Sequence, residues 1–263
     1  MIMQRDKWKT CDTMDVLILC GGYAKRLMPV SEFVPKPMLP VQGKPIVEHI
    51  LGKISELPKD AVIGRIIINT NKRFEEHFRY WIALRNPSYE NRLIEIAEPT
   101  KSNDTKLGAI AGIDYCIRNG DIKGDLMLMA GDNFYDFGLG NLVSHFQKSG
   151  KPTISLYDVG SKEDATRFGV VELDGDVVSG FEEKPERPKT ALVSAGMYIF
   201  PADTLHMVGD YIREGNPPDM VGNFISWLIK KTEVHGVVEK GRWVDIGTLE
   251  SYRKLLSELD GPA

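Results

Sequence analysis

An apolar run that ends on a pair of glycines constrains this chain most. Val16-Leu17-Ile18-Leu19 is of strand length, and Gly21-Gly22 follow after one residue. A strand stopped by glycines at the head of an α/β pattern predicts a sheet whose ligands bind beyond the carboxyl ends of its strands. The rest of the first half keeps that alternation. A proline-punctuated loop runs to about Val41, and Ile46, Val47, Ile50, Leu51, Ile54 and Leu57 then fall on one helical stripe. Strands are expected at 66–68, 93–97 and 126–129, and helices at 74–84 and about 106–118, the second capped by Asn103 or Asp104. Alternation at this length builds a parallel sheet with helices on both faces.

After about residue 150 the pattern changes. Strands are expected at 153–159, 170–173, 176–181 and 195–200, with Asp174-Gly175 as a two-residue hairpin signal. Helices at about 202–213 and 219–231 follow, then a strand at 234–238, Trp243-Val244-Asp245, and a last helix at about 249–259. The expected fold is α/β: a Rossmann-like, mixed but mostly parallel sheet flanked by helices, with a β-rich insertion. One domain over 1–263 is expected, its core at about 14–150 plus 234–260 and the insertion at about 151–233.

Several function classes are excluded. The formal net charge is −4 with no lysine- or arginine-rich block, which argues against nucleic acid as a partner. Apolar runs such as 16–20 and 66–68 fall far short of the roughly 18 residues that span a bilayer. Residues 1–14 carry charges without an apolar segment, so no secretory signal is expected. Cys11, Cys20 and Cys116 have no CxxC spacing, which predicts free thiols in a reduced, cytoplasmic protein. None of the five histidines falls in an HExxH or i, i+4 pair, and none is assigned to metal or catalysis.

Four groups of residues are suited to chemistry on phosphates. Gly21-Gly22 allow backbone N–H groups to approach a phosphate closely, and Arg26 stands near enough to add a fixed charge; a tight turn with a surface arginine has the same pattern. Prolines on both sides of Lys36 present that lysine at a defined place. Asp132 and Asp245 each follow a strand, although a single aspartate there is most often a cap or a turn residue. Glu183-Lys184-Pro185, with Gly169, sits in the β-rich part, where a solvated charge run is the simpler alternative. Neither GxxxxGK[ST] nor GxGxxG follows the first strand.

The ordered set of motifs resembles a known family. Gly21-Gly22-x-x-x-Arg26-Leu27-x-Pro29, then Pro35-Lys36-Pro37-Met38-Leu39-Pro40-Val41, is similar to the signature of the sugar-1-phosphate nucleotidylyltransferases. The nearest branch resembles glucose-1-phosphate thymidylyltransferase. The similarity continues through Leu107-Gly108-Ala109, Gly131-Asp132-Asn133, Phe168-Gly169-Val170-Val171, Phe181-Glu182-Glu183-Lys184-Pro185 and Trp243-Val244-Asp245-Ile246-Gly247-Thr248. Ala24 and Lys25 depart from it, standing where the family usually has glycine then threonine or serine.

The resemblance implies a nucleotide-diphospho-sugar transferase fold and an Mg²⁺-dependent reaction. A nucleoside triphosphate, dTTP or UTP, would couple to a sugar 1-phosphate, glucose 1-phosphate foremost, giving a nucleotide-diphospho-sugar and pyrophosphate. It implies Arg26, Lys36 and Lys184 as catalytic residues, and Leu19, Gly21, Gly22 and Gly108 against the nucleotide. Gly169, Glu183 and Lys184 would hold the sugar phosphate, and Asp132 and Asp245 the metal. No membrane partner and no C-terminal β-helix domain are expected, and homo-oligomerisation is left open. A non-catalytic nucleotide-sugar sensor on the same fold, or a nucleotidyltransferase acting on phosphocholine, remains an alternative at this point.

Overall fold

Strand β1 (Met14–Leu19) alternates its side chains between two apolar cores. Val16 and Ile18 enter one core and Leu17 the other, all without solvent exposure. That period of two is what a strand covered on both faces requires. The computed structural model describes residues 13–260, so Cys11 lies outside the described residues.

Along the chain β1 is followed by a small ribbon of β2 (Pro40–Val41) and β3 (Lys44–Pro45), then α1 (Ile46–Ser55), β4 (Ile63–Asn71) and α2 (Glu75–Arg85). Next come β5 (Leu93–Glu98), α3 (Ala109–Asn119), β6 (Asp125–Ala130), β7 (Asn133–Tyr135) and α4 (Gly140–Ser149). The second half holds β8 (Thr153–Asp158), α5 (Lys162–Ala165), β9 (Gly169–Asp174), β10 (Val177–Glu183) and β11 (Leu192–Phe200). It closes with α6 (His206–Arg213), α7 (Val221–Leu228), β12 (His235–Val238), β13 (Trp243–Asp245) and α8 (Leu249–Asp260). The hairpin at Asp174-Gly175 forms as its sequence predicts, with Gly175 at φ +59° between antiparallel β9 and β10.

Nine strands form one sheet in the order β5-β4-β1-β6-β11-β8-β12-β10-β9. The first four are parallel. Strand β11 then runs antiparallel to both β6 and β8, so the β-rich part continues the core sheet. A further β11–β9 pairing curls that part back on itself. One face is covered by α1, α2, α4 and α8, the other by α3, α6 and α7. Among the described residues no helix is long and apolar enough to cross a membrane.

Two expectations are corrected. The helix expected from about 106 begins at Ala109, and Asn103–Thr105 is a separate 3-10 turn, so neither Asn103 nor Asp104 caps it. Instead the Ala109 and Ile110 N–H groups donate to the Asp219 and Pro218 carbonyls, at 3.3 and 2.8 Å. Those carbonyls satisfy two of the donors that a helix start leaves open. Strand β12, expected with the first-half core, lies between β8 and β10.

Helix α4 carries His145 onto β12, where its Nε2 lies 2.8 Å from His235 Nδ1. The other nitrogen of His235 lies 2.9 Å from Glu233 Oε1. Two rings sharing one hydrogen bond cannot both hold a proton at that contact. Burial first, and then the charges of His235 and Lys148, hold His145 below its ordinary 6.5, against Asp176. The unfolded chain therefore binds the extra proton more readily, and stability falls as pH drops below about 6.5. The urea midpoint should fall between pH 7.5 and 5.5, and His145→Gln should lose less over the same interval. An equal loss in both proteins would rule the pair out as the cause.

Candidate active site at the strand ends

A cavity of about 380 Å³ opens beyond the carboxyl ends of β5, β4, β1 and β6. Leu19, Gly21 and Gly22 from the end of β1 line it, with Lys36, Asn69, Glu98, Gly108 and Asp132. The loop after β1 is tied down from several sides. Asn71 Nδ2 donates to the Gly21 carbonyl at 2.8 Å, and Ser31 Oγ to that of Ala24 at 2.7 Å. Tyr23 OH reaches Thr100 Oγ1 at 3.0 Å. Ala24 is left-handed, with φ 45°. That conformation costs an L-residue about 1 kcal/mol, which these bonds offset. The alanine thus takes the backbone shape that glycine usually supplies.

Gly131 lets β6 leave the sheet beside β1. A Cβ there would come within 2.6 Å of the Leu19 carbonyl. The next residue, Asp132, accepts a 2.7 Å charged hydrogen bond from Lys36 Nζ. Lys36 is only 8% exposed, held in a 3-10 turn, Lys36–Met38, behind Pro35. Burial, and then Asp132, push the Cys20 thiol up, so it stays protonated beneath the loop.

Asp245 arrives from a distant part of the sequence. Strand β13 pairs antiparallel with β7 and sets Asp245 opposite Asn133. The Ile246 N–H donates to the Asp132 carbonyl at 3.2 Å. Asn133 Nδ2 and Trp243 Nε1 both donate to the Ala195 carbonyl, at 2.9 and 3.0 Å, locking this ribbon to β11. Burial raises the Asp245 carboxyl and Asp132 raises it further, while Lys36, Lys184 and Arg167 pull it down. Two carboxylates and three cations therefore share one field.

Lys184 follows β10 in a left-handed conformation, φ 49°, with its N–H on the Phe168 carbonyl at 2.9 Å. Its ammonium lies 3.7 Å from Glu183 Oε1 and 3.9 Å from Met220 Sδ. Burial raises the Glu183 carboxyl, and Lys184 opposes that. Gly169 packs against the Phe181 ring, with Glu183 Oε2 3.1 Å from where a Cβ would stand. A Cβ at Gly222 would strike Glu183 Oε2 directly.

The structure thus joins Lys36 to Asp132 by contact and brings both, with Lys184, close enough for their charges to act on Asp245; Lys36 and Asp132 line the cavity, while Asp245, Glu183, Lys184 and Gly169 stand outside its lining. Arg26 does not join them: it is exposed, has no hydrogen bond or ion pair among the described residues, and does not line the cavity. Gly108 lines the cavity, but its φ of +89° also serves packing, since a Cβ would fall 2.7 Å from the Pro218 carbonyl. Sequence reasoning missed three residues. Arg167 acts on Asp245, and its one signal is its place directly before Phe168-Gly169. Asn69, near the end of β4, and Glu98, the last residue of β5, stand on the cavity wall, and nothing in their local sequence marks them.

Among the described residues no group of three or more His, Cys, Asp or Glu forms a ready-made metal cage. Two carboxylates suit Mg²⁺, which is commonly held by one or two carboxylates together with substrate phosphates. The desolvated Asp245, raised further by Asp132, is a place where added positive charge is favourable.

The chain is similar to known proteins. The chain is 32% identical over 241 residues to the bifunctional protein GlmU of Methanococcus aeolicus, covering 89% of this chain and 51% of that protein. It is 30% identical over 273 residues to glucose-1-phosphate adenylyltransferase 2 of Pseudoalteromonas atlantica, covering 94% and 63%. The chain therefore spans about half to two thirds of these curated relatives. The crystal structure of a UDP-glucose pyrophosphorylase complexed with UDP-glucose superposes with a TM-score of 0.76 at 18% identity, over 94% of this chain and 98% of that one. That likeness bears on the fold. The nucleotidyl transferase family model matches residues 15–260, nearly all of the described chain, and the protein belongs to that family.

Proposed function

We propose that the protein transfers a nucleotidyl group from a nucleoside triphosphate to a sugar 1-phosphate and releases pyrophosphate. The observation that carries this reading is the Lys36–Asp132 contact on the wall of a cavity at the strand ends, with the charges of both residues and of Lys184 acting on Asp245. The resemblance alone implies dTTP or UTP with glucose 1-phosphate. The proposal places the reaction in the cytoplasm, in keeping with the free thiols Cys20 and Cys116.

A sugar-phosphate oxygen is the nucleophile. It is already anionic near neutral pH, so the chain need not supply a general base. What the chain must supply is positioning and charge neutralisation for two mutually repelling anions. Lys36 is buried and oriented by Asp132, so it meets the triphosphate with little ordering cost. Lys184 takes the phosphate of the sugar phosphate, and Glu183 beside it accepts hydrogen bonds from sugar hydroxyls. Mg²⁺ on Asp132 and Asp245 would neutralise charge at the reacting phosphate when bound. Arg26, exposed and unpaired, is free to turn toward the leaving pyrophosphate.

Mixing each common triphosphate with a panel of sugar 1-phosphates and Mg²⁺, with pyrophosphate as the readout, tests the reading. At least one pair should turn over and yield a nucleotide-diphospho-sugar. Silence across the matrix, with triphosphates still binding, would favour a nucleotide-sugar sensor.

A further inference from the structure

The far wall of the cavity holds a carboxylate that the proposed chemistry does not use. Glu98 ends β5 and is 6% exposed. Its Oε1 accepts from Asn69 Nδ2 at 3.1 Å. Its Oε2 has no hydrogen-bond partner among the described residues and is not one of the sealed-off buried oxygens. It belongs to a side chain that lines the cavity.

Two glycines make room for this group. A Cβ on Gly21 would lie 3.0 Å from Glu98 Oε1, and one on Gly112 2.5 Å. Gly112 stands inside α3, where alanine would favour the helix more. The helix therefore carries a less favourable residue where the carboxylate passes. A buried anion with one donor is underfilled. Burial accordingly raises the Glu98 carboxyl, and the Asn69 bond opposes that. A ligand bringing N–H donors would complete it.

The sheet order places this wall. Asp132 leaves β6, while Glu98 ends β5, three strand spacings away, roughly 14 Å. A triphosphate whose reacting phosphate lies by Asp132 and Asp245 turns its base toward Asn69 and Glu98.

We infer that Glu98 reads the base of the triphosphate and that this base is guanine. The inference rests on the nucleotidyl-transfer reading and replaces the thymine or uracil that the resemblance implies. Two N–H donors facing Glu98 would hold its carboxyl ionised, and an ionised carboxylate only accepts hydrogen bonds. Guanine presents two adjacent donors, N1–H and N2–H₂, to its two oxygens. Uracil and thymine set a carbonyl on each side of their single N–H. Cytosine and adenine set a ring lone pair beside their amino group. In each of those bases one carboxylate oxygen faces another acceptor, which is the mismatch that gives polar sites their selectivity.

The test is equilibrium binding of GTP, ITP, UTP, dTTP, CTP and ATP with Mg²⁺, alongside pyrophosphate release with a sugar 1-phosphate panel. The wild-type protein should bind GTP about tenfold to a hundredfold more tightly than the others, the range of one hydrogen bond to a charged acceptor. ITP, which lacks only the 2-amino group, should fall with the weak ligands. Glu98→Gln should bring all six to within about threefold of one another. Gly112→Ala, which moves the carboxylate tip without removing it and suits the helix, should erode the preference while the protein stays folded. Binding of UTP, dTTP, CTP or ATP as tight as GTP, or an unchanged preference in Glu98→Gln, would overturn the inference and leave nucleotidyl transfer standing. Pyrophosphate release with none of the six would overturn both.

Discussion

Asp132→Ala should lower kcat for pyrophosphate release by about 10²-fold or more while the thermal unfolding midpoint stays within a few degrees of wild type. In the proposed reaction the carboxylate is one of two acids at the reacting phosphate, and it is the partner that orients Lys36 at 2.7 Å. One well-placed charged contact in a partly dry site supplies about 3 kcal/mol to the barrier, which converts to roughly 10²-fold in rate. The loss to folding is small because the Asp132 side chain is 40% exposed, and a pair so wetted adds little stability. The structural part of residue 132 is its backbone, whose carbonyl accepts from Ile246, and alanine keeps it. Asp132→Asn preserves the shape and should fall nearly as far, since an amide does not neutralise Lys36. Near-wild-type turnover in either variant would remove Asp132 from the chemistry.

The second large effect belongs to Lys184. Lys184→Ala should cut kcat/KM for the sugar phosphate by about 10²-fold or more, again the scale of one charged contact. The KM for the triphosphate should move by less than about threefold, because in the proposed reaction the lysine meets only one of the two substrates. Its ammonium lies 3.7 Å from Glu183 and its charge acts on Asp245, and it directly follows β10, which the proposed reaction makes the sugar side of the site. Steady-state kinetics with each substrate varied in turn separates the two outcomes. Loss confined to triphosphate binding would place Lys184 on the wrong substrate.

What could be read in the sequence was whatever is fixed locally. The glycine pair after β1, the prolines around Lys36 and the aspartates after strands all depend on neighbours within a few residues, and all three features come together at the strand ends. The Asp174-Gly175 hairpin was legible for the same reason. Strand β11 was read as a strand, but its direction was not, because an apolar run looks alike in either orientation and only its partners β6 and β8 decide. The start of α3 was misread because its capping carbonyls come from residues 218 and 219, about a hundred positions away. Glu98 was silent because its burial depends on Gly21, Asn69 and Gly112, which no local pattern connects. Arg26 shows the converse: its spacing pointed to the site, yet the turn Lys25–Leu27 leaves its side chain in solvent.

The unbroken run from β5 to β9 has a mechanical consequence. With β11 hydrogen-bonded on both flanks, Glu98 and Glu183 are mounted on a single stiff plate, with Asp132 two residues beyond its edge at β6 and no seam about which one half could swing. Any tightening around bound reactants falls to the peptide segments that overhang the plate, chiefly 20–36 and 99–108. Amide exchange should therefore slow in those two segments when reactants bind, while the strands beneath them exchange at the same rate as before.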